Sequence, residues 1–333
     1  MKKFFKILGL FLMLIVLVAI GGLVYLNASF PKVDPPKKIK VEITPERLTR
    51  GKYLAHNLAG CIDCHSQRDW SKYSGPVIEG TEGQGGMPFD KYFANIPGVI
   101  YAKNITPAGI GDYTDGELLR VITTGVTRNG VALFPLMSYM HFREMSQEDL
   151  YSIIAYIRSL KPIENVVPER NLEIPMNLIV KTIPINAPEN NPPAPQKTDV
   201  LAYGKYLVNA AACMDCHSKL IKGKIEPGME FAGGFKFCLP DGRCVTSANL
   251  TPDNETGIGL LTKEAFLDKF RFYRQENSKN IPVTAEGNIT VMPWTQFQSL
   301  PDEDLAAMYD YLRTLKPVKN KIEKFSRQPI ASN

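Results

Sequence analysis

CIDCH at residues 61–65 and CMDCH at residues 213–217 are the two stretches that decide the fold. The sequence around them also occurs twice, in the same order and at nearly constant spacing: RGKYLAHNLAG before CIDCH and YGKYLVNAAA before CMDCH, NITP (104–107) and NLTP (249–252), and the long blocks 136–163 and 291–318. Chance similarity between helices would not preserve this order, so the repeat indicates duplication of a whole domain.

Both short stretches have the form C-x-x-C-H, which is the sequence signature of covalent haem c attachment. Two thiols about one helical turn apart add to the two vinyl groups of one haem, and the histidine that follows then lies under the iron as its proximal ligand. We therefore predict two haem c groups, each attached through two cysteines and bound at iron by one histidine: Cys61, Cys64 and His65; Cys213, Cys216 and His217.

Other kinds of site also use a C-x-x-C pair, but the surrounding sequence does not favour them. A thioredoxin-like redox pair would accompany a βαβ pattern, which is not visible in this sequence. A zinc site built from two C-x-x-C pairs would not need a histidine after each pair.

The repeat also nominates the second axial ligand of each iron. Met137 in LMSYMHF and Met292 in VMPWTQF stand 155 residues apart, and each precedes a phenylalanine by five residues. Methionine opposite histidine raises the reduction potential of a haem, and it closes the iron to substrates. We predict Met137 and Met292 as these ligands. Proline follows Met292 in the second copy, but serine follows Met137 in the first. In the first copy, Met140 is therefore the alternative ligand, and His141 is a further candidate.

The N-terminus predicts export and membrane anchoring. The basic start MKKFFK precedes an uninterrupted apolar run from Ile7 to Leu26, which is about the length of a helix that spans the hydrocarbon core. The run is long for a cleaved signal peptide, which remains the alternative. The lysines before the run place the N-terminus inside and the bulk of the chain outside. Residues 30–45, with four prolines, predict an extended stalk.

The periodicity of apolar residues predicts a mostly helical domain in each copy. Thr114 and Ser146 open helix-capping motifs ahead of apolar residues at helical spacing. Each final helix ends at Lys-Pro, because proline stops helix continuation. We predict an all-α chain of two tandem domains behind a transmembrane helix, divided as follows: membrane anchor and stalk 1–45, domain 1 46–162, linker 163–198, domain 2 199–318 and C-terminal tail 319–333.

Two further features bear on the environment of the chain. Cys238 and Cys244 flank Leu-Pro-Asp-Gly-Arg, and its Asp-Gly pair is a hairpin turn signal that would bring the two thiols together. Export to an oxidising compartment allows a disulfide there to persist. The net charge is +5 over 333 residues, and no basic stripe with interleaved aromatic residues appears. The charge therefore does not indicate nucleic acid binding.

The order of C-x-x-C-H, N-I-T-P, a methionine loop and D-L-x-x-x-x-x-Y-(I/L)-R-x-L-K-P resembles tandem class I cytochrome c domains over residues 46–318. More narrowly, the chain is similar to the multi-haem cytochrome c subunits of bacterial membrane-bound alcohol, aldehyde and gluconate dehydrogenases. Those subunits usually carry three haems, and this chain has two C-x-x-C-H motifs.

This resemblance implies two cytochrome c domains on the periplasmic or outer side of a bacterial cytoplasmic (inner) membrane, with the N-terminal helix in the lipid. It implies a protein electron donor and acceptor in a respiratory chain, or a dehydrogenase catalytic subunit, as partners. It also places Asn104 and Asn249 at the haem edge, where asparagine that simply forms a turn is the alternative.

Two functions are compatible with these expectations. The first is electron transfer by two closed His/Met haems in a protein, or a subunit of an oxidoreductase complex, that has no catalytic activity of its own. The second is a di-haem redox enzyme of the peroxidase or thiosulfate-oxidising type, which needs one open iron. The low histidine count of 4 and the aligned methionines favour electron transfer.

Overall fold

The computed structural model describes residues 1–221, 223–239, 241–284, 287 and 289–327. The end of the predicted C-terminal tail, residues 328–333, lies outside this range. The α-helices of the described residues are, in chain order, α1 Lys2–Ser29, α2 Pro45–Tyr53, α3 Cys61–Cys64, α4 Lys91–Ala94, α5 Pro107–Ile110, α6 Asp115–Thr124, α7 Tyr139–Phe142, α8 Gln147–Arg158, α9 Met176–Ile179, α10 Val200–Ala210, α11 Cys213–Cys216, α12 Lys263–Arg271, α13 Trp294–Phe297 and α14 Asp302–Leu312.

Short strands accompany these helices, so the predicted all-α class is not confirmed. The strands are β1 Pro88–Asp90, β2 Gly98–Tyr101, β3 Asn171–Leu172, β4 Leu220–Ile221, β5 Lys224–Ile225, β6 Lys236–Cys238, β7 Arg243–Thr246 and β8 Phe325–Arg327. They form small antiparallel sheets in the orders β1–β2–β3, β4–β5 and β6–β7–β8. The long loops after each C-x-x-C-H motif pair in this way because backbone N–H and C=O groups need partners when they are buried.

The predicted helix starts at Thr114 and Ser146 are confirmed. Thr114 accepts a hydrogen bond from the Glu117 amide, and the Glu117 side chain accepts one from the Thr114 amide, which completes a capping box at the start of α6. The Ser146 hydroxyl accepts from the Asp149 amide at the start of α8.

In both halves of the chain, the helix before the C-x-x-C-H motif crosses the last helix at a glycine. A Cβ atom on Gly51 of α2 would lie 2.0 Å from the Ser152 carbonyl oxygen of α8, and one on Gly204 of α10 would lie 2.0 Å from the Ala307 carbonyl oxygen of α14. The two backbones touch at these points, so only glycine allows the crossing. The apolar faces of the four helices join one hydrophobic core that includes residues of both halves.

One inserted residue explains a local difference between the halves. Tyr53 precedes Cys61 by eight residues, whereas Tyr206 precedes Cys213 by seven. In the second half, α10 continues as a regular helix to Ala210. In the first half, residues Leu54–Leu58 form a π-helical turn. Such a turn accommodates an extra residue without moving the helix ends out of line.

The segment predicted as a linker packs on the first half of the chain. Strand β3 pairs with β2. The 3-10 turn Val180–Thr182 places Val180, fully buried, against a small core that contains Phe89 and Ile96. The predicted stalk is extended but docked, since the Asp34 amide donates to Asn186 Oδ1 at 2.7 Å and the Val41 amide to Asp115 Oδ2 at 2.8 Å.

Helix α1 has the length and apolar composition needed to cross a membrane. At 1.5 Å per residue its 28 residues extend about 42 Å, more than the hydrocarbon core requires. None of its residues is buried against the rest of the chain. Its apolar surface is therefore available to lipid.

We expect Gly51→Ala and Gly204→Ala each to lower the free energy of unfolding by about 1–3 kcal/mol, because the added methyl group forces the crossing helices apart. Thermal or denaturant unfolding followed by circular dichroism measures the change. Lys52→Ala and Lys205→Ala, at the neighbouring exposed positions, are the matched controls and should change it little. Equal effects of glycine and lysine variants would contradict the close crossing.

Candidate functional site

The two C-x-x-C-H motifs adopt the same local structure. Each begins with a residue in the left-handed region, Gly60 (φ +66°) or Ala212 (φ +49°), and continues as the single helical turn α3 or α11. In each turn the first cysteine is half-buried and the second is exposed, and none of the four forms a disulfide. The turns therefore present two thiols each for thioether formation.

The histidine of each motif is oriented by a backbone carbonyl. His65 Nδ1 lies 2.6 Å from the Lys103 carbonyl oxygen, and His217 Nδ1 lies 2.8 Å from the Ala248 carbonyl oxygen. Desolvation lowers the pKa of both histidines, which favours the neutral ring. A neutral imidazole whose Nδ1–H donates to a carbonyl keeps the lone pair of Nε2 for a metal. The donor set thus fits a haem iron in each motif.

Met137 and Met292 occupy the same backbone turn. The Tyr139 amide donates to the Met137 carbonyl at 2.7 Å, and the Trp294 amide donates to the Met292 carbonyl at 2.8 Å. The residue between, Ser138 (φ −73°, ψ 43°) or Pro293 (φ −80°, ψ 63°), has the dihedral angles of an inverse γ-turn. Serine therefore supports the same turn as proline, and the missing Met-Pro pair of the first half does not alter it.

The two alternatives for the sixth ligand in the first half are less well placed. Met140 is 40% exposed and lies one residue into α7, outside the shared turn. Both ring nitrogens of His141 already have partners, Asn209 Oδ1 at 2.7 Å and Asp215 Oδ1 at 2.7 Å. His141 therefore has no free nitrogen for iron.

Asn104 and Asn249 both form turns that hold the chain after the last helix. Asn104 Oδ1 accepts from the Thr106 amide at 2.9 Å, and its Nδ2 donates to the Ile163 carbonyl at 2.8 Å. Asn249 does the same with the Thr251 amide and the Val318 carbonyl. The turn role is thus shown by the contacts of both side chains.

The two motifs pack against the same hydrophobic core. Cys61 of the first motif and Cys213 of the second are both partly buried against it. Burial raises the pKa of both thiols to about 12.

A pair of buried carboxylates joins the two halves reciprocally. Asp149 of α8 accepts hydrogen bonds from Arg50 of its own half at 2.7 Å and from the Tyr206 hydroxyl of the other half at 2.5 Å. Asp304 of α14 accepts from Tyr203 of its own half and from Tyr53 of the other half.

These residues stand at equivalent positions of the repeat, so the interface has an approximate two-fold symmetry. Asp149 and Asp304 are 4% and 2% exposed, and buried carboxylates need such partners. These residues were not predicted from the sequence to form an interface. Their recurrence in the repeated blocks was the available signal, but recurrence does not show which half a side chain contacts.

His141 makes a second contact between the halves, and its hydrogen bonds require a proton on both ring nitrogens. Asn209 Nδ2 donates to the His141 carbonyl at 3.1 Å, so Asn209 Oδ1 is the atom that faces His141 Nδ1. Nε2 faces the Asp215 carboxylate. Burial disfavours the charged ring, but Asp215 and Asn209 outweigh it and raise the pKa of His141 above its ordinary value.

The expected disulfide between Cys238 and Cys244 is present in the structure. The two residues face each other in the register of β6 and β7, with Cα atoms 4.1 Å apart. Asp90 and Val99 hold the corresponding facing positions in β1 and β2. The covalent link is therefore a feature of the second half.

Comparison with known proteins shows a cytochrome c domain in the second half of the chain. The sequence model of the cytochrome c family matches residues 201–316. The chain is 28% identical over 279 residues to the gluconate 2-dehydrogenase cytochrome c subunit of Pantoea cypripedii, which covers 80% of this chain and 59% of that protein. It is 27% identical over 297 residues to the cytochrome c subunit of the quinone-type alcohol dehydrogenase of Gluconacetobacter polyoxogenes, covering 85% and 59%.

A further relative is the fructose dehydrogenase cytochrome subunit of Gluconobacter japonicus, 28% identical over 288 residues, which cover 80% of this chain and 52% of that protein. The chain thus spans between about half and three-fifths of the length of these curated relatives.

We expect His141→Gln to reduce stability most at low pH. The folded-state pKa of His141 is raised above the unfolded value of about 6.5, so the contribution of its charged ring is fully present below that value and is lost as pH rises through the folded pKa. Denaturant unfolding should show a larger difference between wild type and variant near pH 5.5 than near pH 9.

His56→Gln is the control for this experiment. Burial lowers the pKa of His56, so its contribution to stability should instead be lost as pH falls. A His141→Gln difference that does not change with pH would refute the charged interaction with Asp215.

Thiol labelling of the unfolded holoprotein should separate the two kinds of cysteine. If both C-x-x-C-H motifs hold haem, no cysteine should react before reduction, because haem attachment would place four of them in thioethers and the other two form the Cys238–Cys244 disulfide. After reduction the two disulfide cysteines should react, as counted by mass spectrometry of the labelled chain. Labelling of Cys64 or Cys216 would show that the corresponding haem is not attached.

Proposed function

We propose that this chain is a membrane-anchored electron-transfer protein with two haem c groups. The chain carries a cytochrome c domain at residues 201–316 and is similar to cytochrome c subunits of dehydrogenases. Its haem domains extend over residues 46–162 and 199–318, separated by the segment 163–198. The first haem is attached at Cys61 and Cys64, and the second at Cys213 and Cys216.

The observation that carries this proposal is the shared geometry of the two motifs. In both motifs, a residue in the left-handed region precedes a single helical turn, and the histidine after the turn faces a backbone carbonyl. A structural histidine does not need one nitrogen left free next to two accessible thiols, whereas a proximal haem ligand does. His65 and His217 are the proposed proximal ligands.

Met137 and Met292 are the proposed sixth ligands. Their common inverse γ-turn supports this assignment, and so does their partial burial against the core that also contacts Cys61 and Cys213. With two strongly bound axial ligands, a haem exchanges single electrons and leaves no position open for substrate. We therefore propose that the chain has no catalytic activity of its own.

The common core of the two motifs supports transfer of electrons between the haems. Cys61 and Cys213 pack against one hydrophobic core, and the buried carboxylates fix the two halves relative to one another. A rigid arrangement keeps the separation of two cofactors constant, which is the protein's contribution to cofactor chemistry.

The names of the relatives suggest the partners. We propose that a dehydrogenase catalytic subunit is the electron donor and that a component of a respiratory chain is the acceptor. Helix α1 would hold the chain in a bacterial cytoplasmic (inner) membrane, and the haem domains would lie on the periplasmic side.

Absorption spectra of the oxidised protein test the proposal. A methionine–iron bond gives a charge-transfer band in the near infrared, so Met137→Ala and Met292→Ala should each remove part of this band and lower the reduction potential of one haem. The double variant should remove the band completely. Met140→Ala, which changes an exposed methionine outside the shared turn, is the matched control and should retain it.

A wild-type spectrum in which one of the two haems gives no near-infrared band would favour the di-haem redox enzyme. The iron of that haem would then be open or would have another ligand. Rapid binding of cyanide by that iron would then move the function towards peroxide or sulfur chemistry.

A further inference from the structure

Each methionine turn is followed by a residue that hydrogen-bonds to the other half of the chain. Asn209 Nδ2 donates to the His141 carbonyl at 3.1 Å, and Asn209 Oδ1 lies 2.7 Å from His141 Nδ1. Asn57 Nδ2 donates to the Gln296 carbonyl at 3.0 Å, and Gln296 Nε2 donates to the Asn57 carbonyl at 2.7 Å. Both contacts are two-point contacts that combine side-chain and backbone groups.

The four residues stand at equivalent positions of the two halves. Asn57 and Asn209 each precede the first cysteine of their own motif by four residues. His141 and Gln296 each follow their methionine by four residues, and they are 7% and 9% exposed. The same position before one haem motif thus contacts the same position after the methionine of the other half.

Additional contacts flank the methionines themselves. Ser138, next to Met137, donates to Asp215 Oδ2 of the second motif at 2.9 Å. Ser74 of the first half donates to the Met292 carbonyl at 2.7 Å and accepts from the Trp294 amide at 3.0 Å. Both methionine turns are therefore held from the opposite half, through the methionine carbonyl or the residues that follow the methionine.

We infer that Asn209 positions Met137 and Asn57 positions Met292, so that the sixth ligand of each haem is held by the other half of the chain. This inference rests on the proposed function, since it takes the two methionines as iron ligands. Removing one asparagine leaves buried polar groups of the opposite turn unpaired, and the turn loses its fixed position. Ligation of one iron then depends on the docking of the other haem domain.

The experiment uses single-methionine backgrounds of the full-length holoprotein, so that the near-infrared band reports one haem at a time. In Met292→Ala only haem 1 contributes, and in Met137→Ala only haem 2. Asn209→Ala should weaken the band of haem 1, and Asn57→Ala that of haem 2. Imidazole, which competes with methionine for iron, should displace the band at roughly tenfold lower concentration, a change equivalent to about 1.4 kcal/mol.

Asn95→Ala is the matched control. Asn95 also donates across the two halves, to the Lys236 carbonyl at 3.3 Å, but it contacts neither methionine turn. It should leave both bands and both imidazole titrations unchanged. Soret absorbance and circular dichroism confirm that each variant is folded and loaded, and Asn209→Leu repeats the test with the side-chain volume retained.

The outcomes separate this inference from the proposed function. Absence of the band from a single-methionine background would reject His/Met ligation of that haem. A band that persists unchanged in Asn209→Ala and Asn57→Ala would overturn the inference alone. So would an effect on the haem of the asparagine's own half, because that result indicates a local structural role before the motif.

Discussion

The close crossing of two helices at a glycine is the constraint on which the rest of the structure depends. Gly51 and Gly204 let the helix before each C-x-x-C-H motif touch the backbone of the last helix. That contact sets the direction in which the chain enters the motif and aligns the faces that bury the core. The four crossing helices also carry the residues that join the two halves. The entry into each C-x-x-C-H motif and the interface between the halves therefore both depend on this helix crossing.

The interface between the two halves fixes their relative orientation. Asp149 and Asp304 are too buried to remain unpaired, and each obtains a hydroxyl from the opposite half. Burying a carboxylate gives little net stability, but breaking its hydrogen bonds is costly, so such a pair specifies one relative orientation. A fixed orientation keeps the separation of the two motifs constant and supports the proposed exchange of electrons between haems.

The symmetry is approximate, and the departures make the two sites electrostatically different. Asp63 in the first motif pairs with Arg68 of its own half at 2.7 Å, and both side chains are buried. Asp215, its counterpart, pairs instead with His141 of the other half. The first half is extended by the segment with β3 and Val180, whereas the second has the disulfide. Because reduction potentials respond to local charge and burial, these differences would give the two proposed haems different potentials.

The sequence by itself determined the repeat, the two C-x-x-C-H motifs, the aligned methionines, the apolar N-terminal helix and the helix starts at Thr114 and Ser146. These features rest on local spacing, which a single chain segment shows. Tertiary structure alone decided that the loops form small sheets, that the predicted linker docks on the first half, and that Ser138 makes the same turn as Pro293. It also decided which half Asn57, Asn209 and the buried carboxylates contact. Such pairings join residues far apart in the chain, and hydrogen-bond partners at that distance leave no periodic pattern in the sequence.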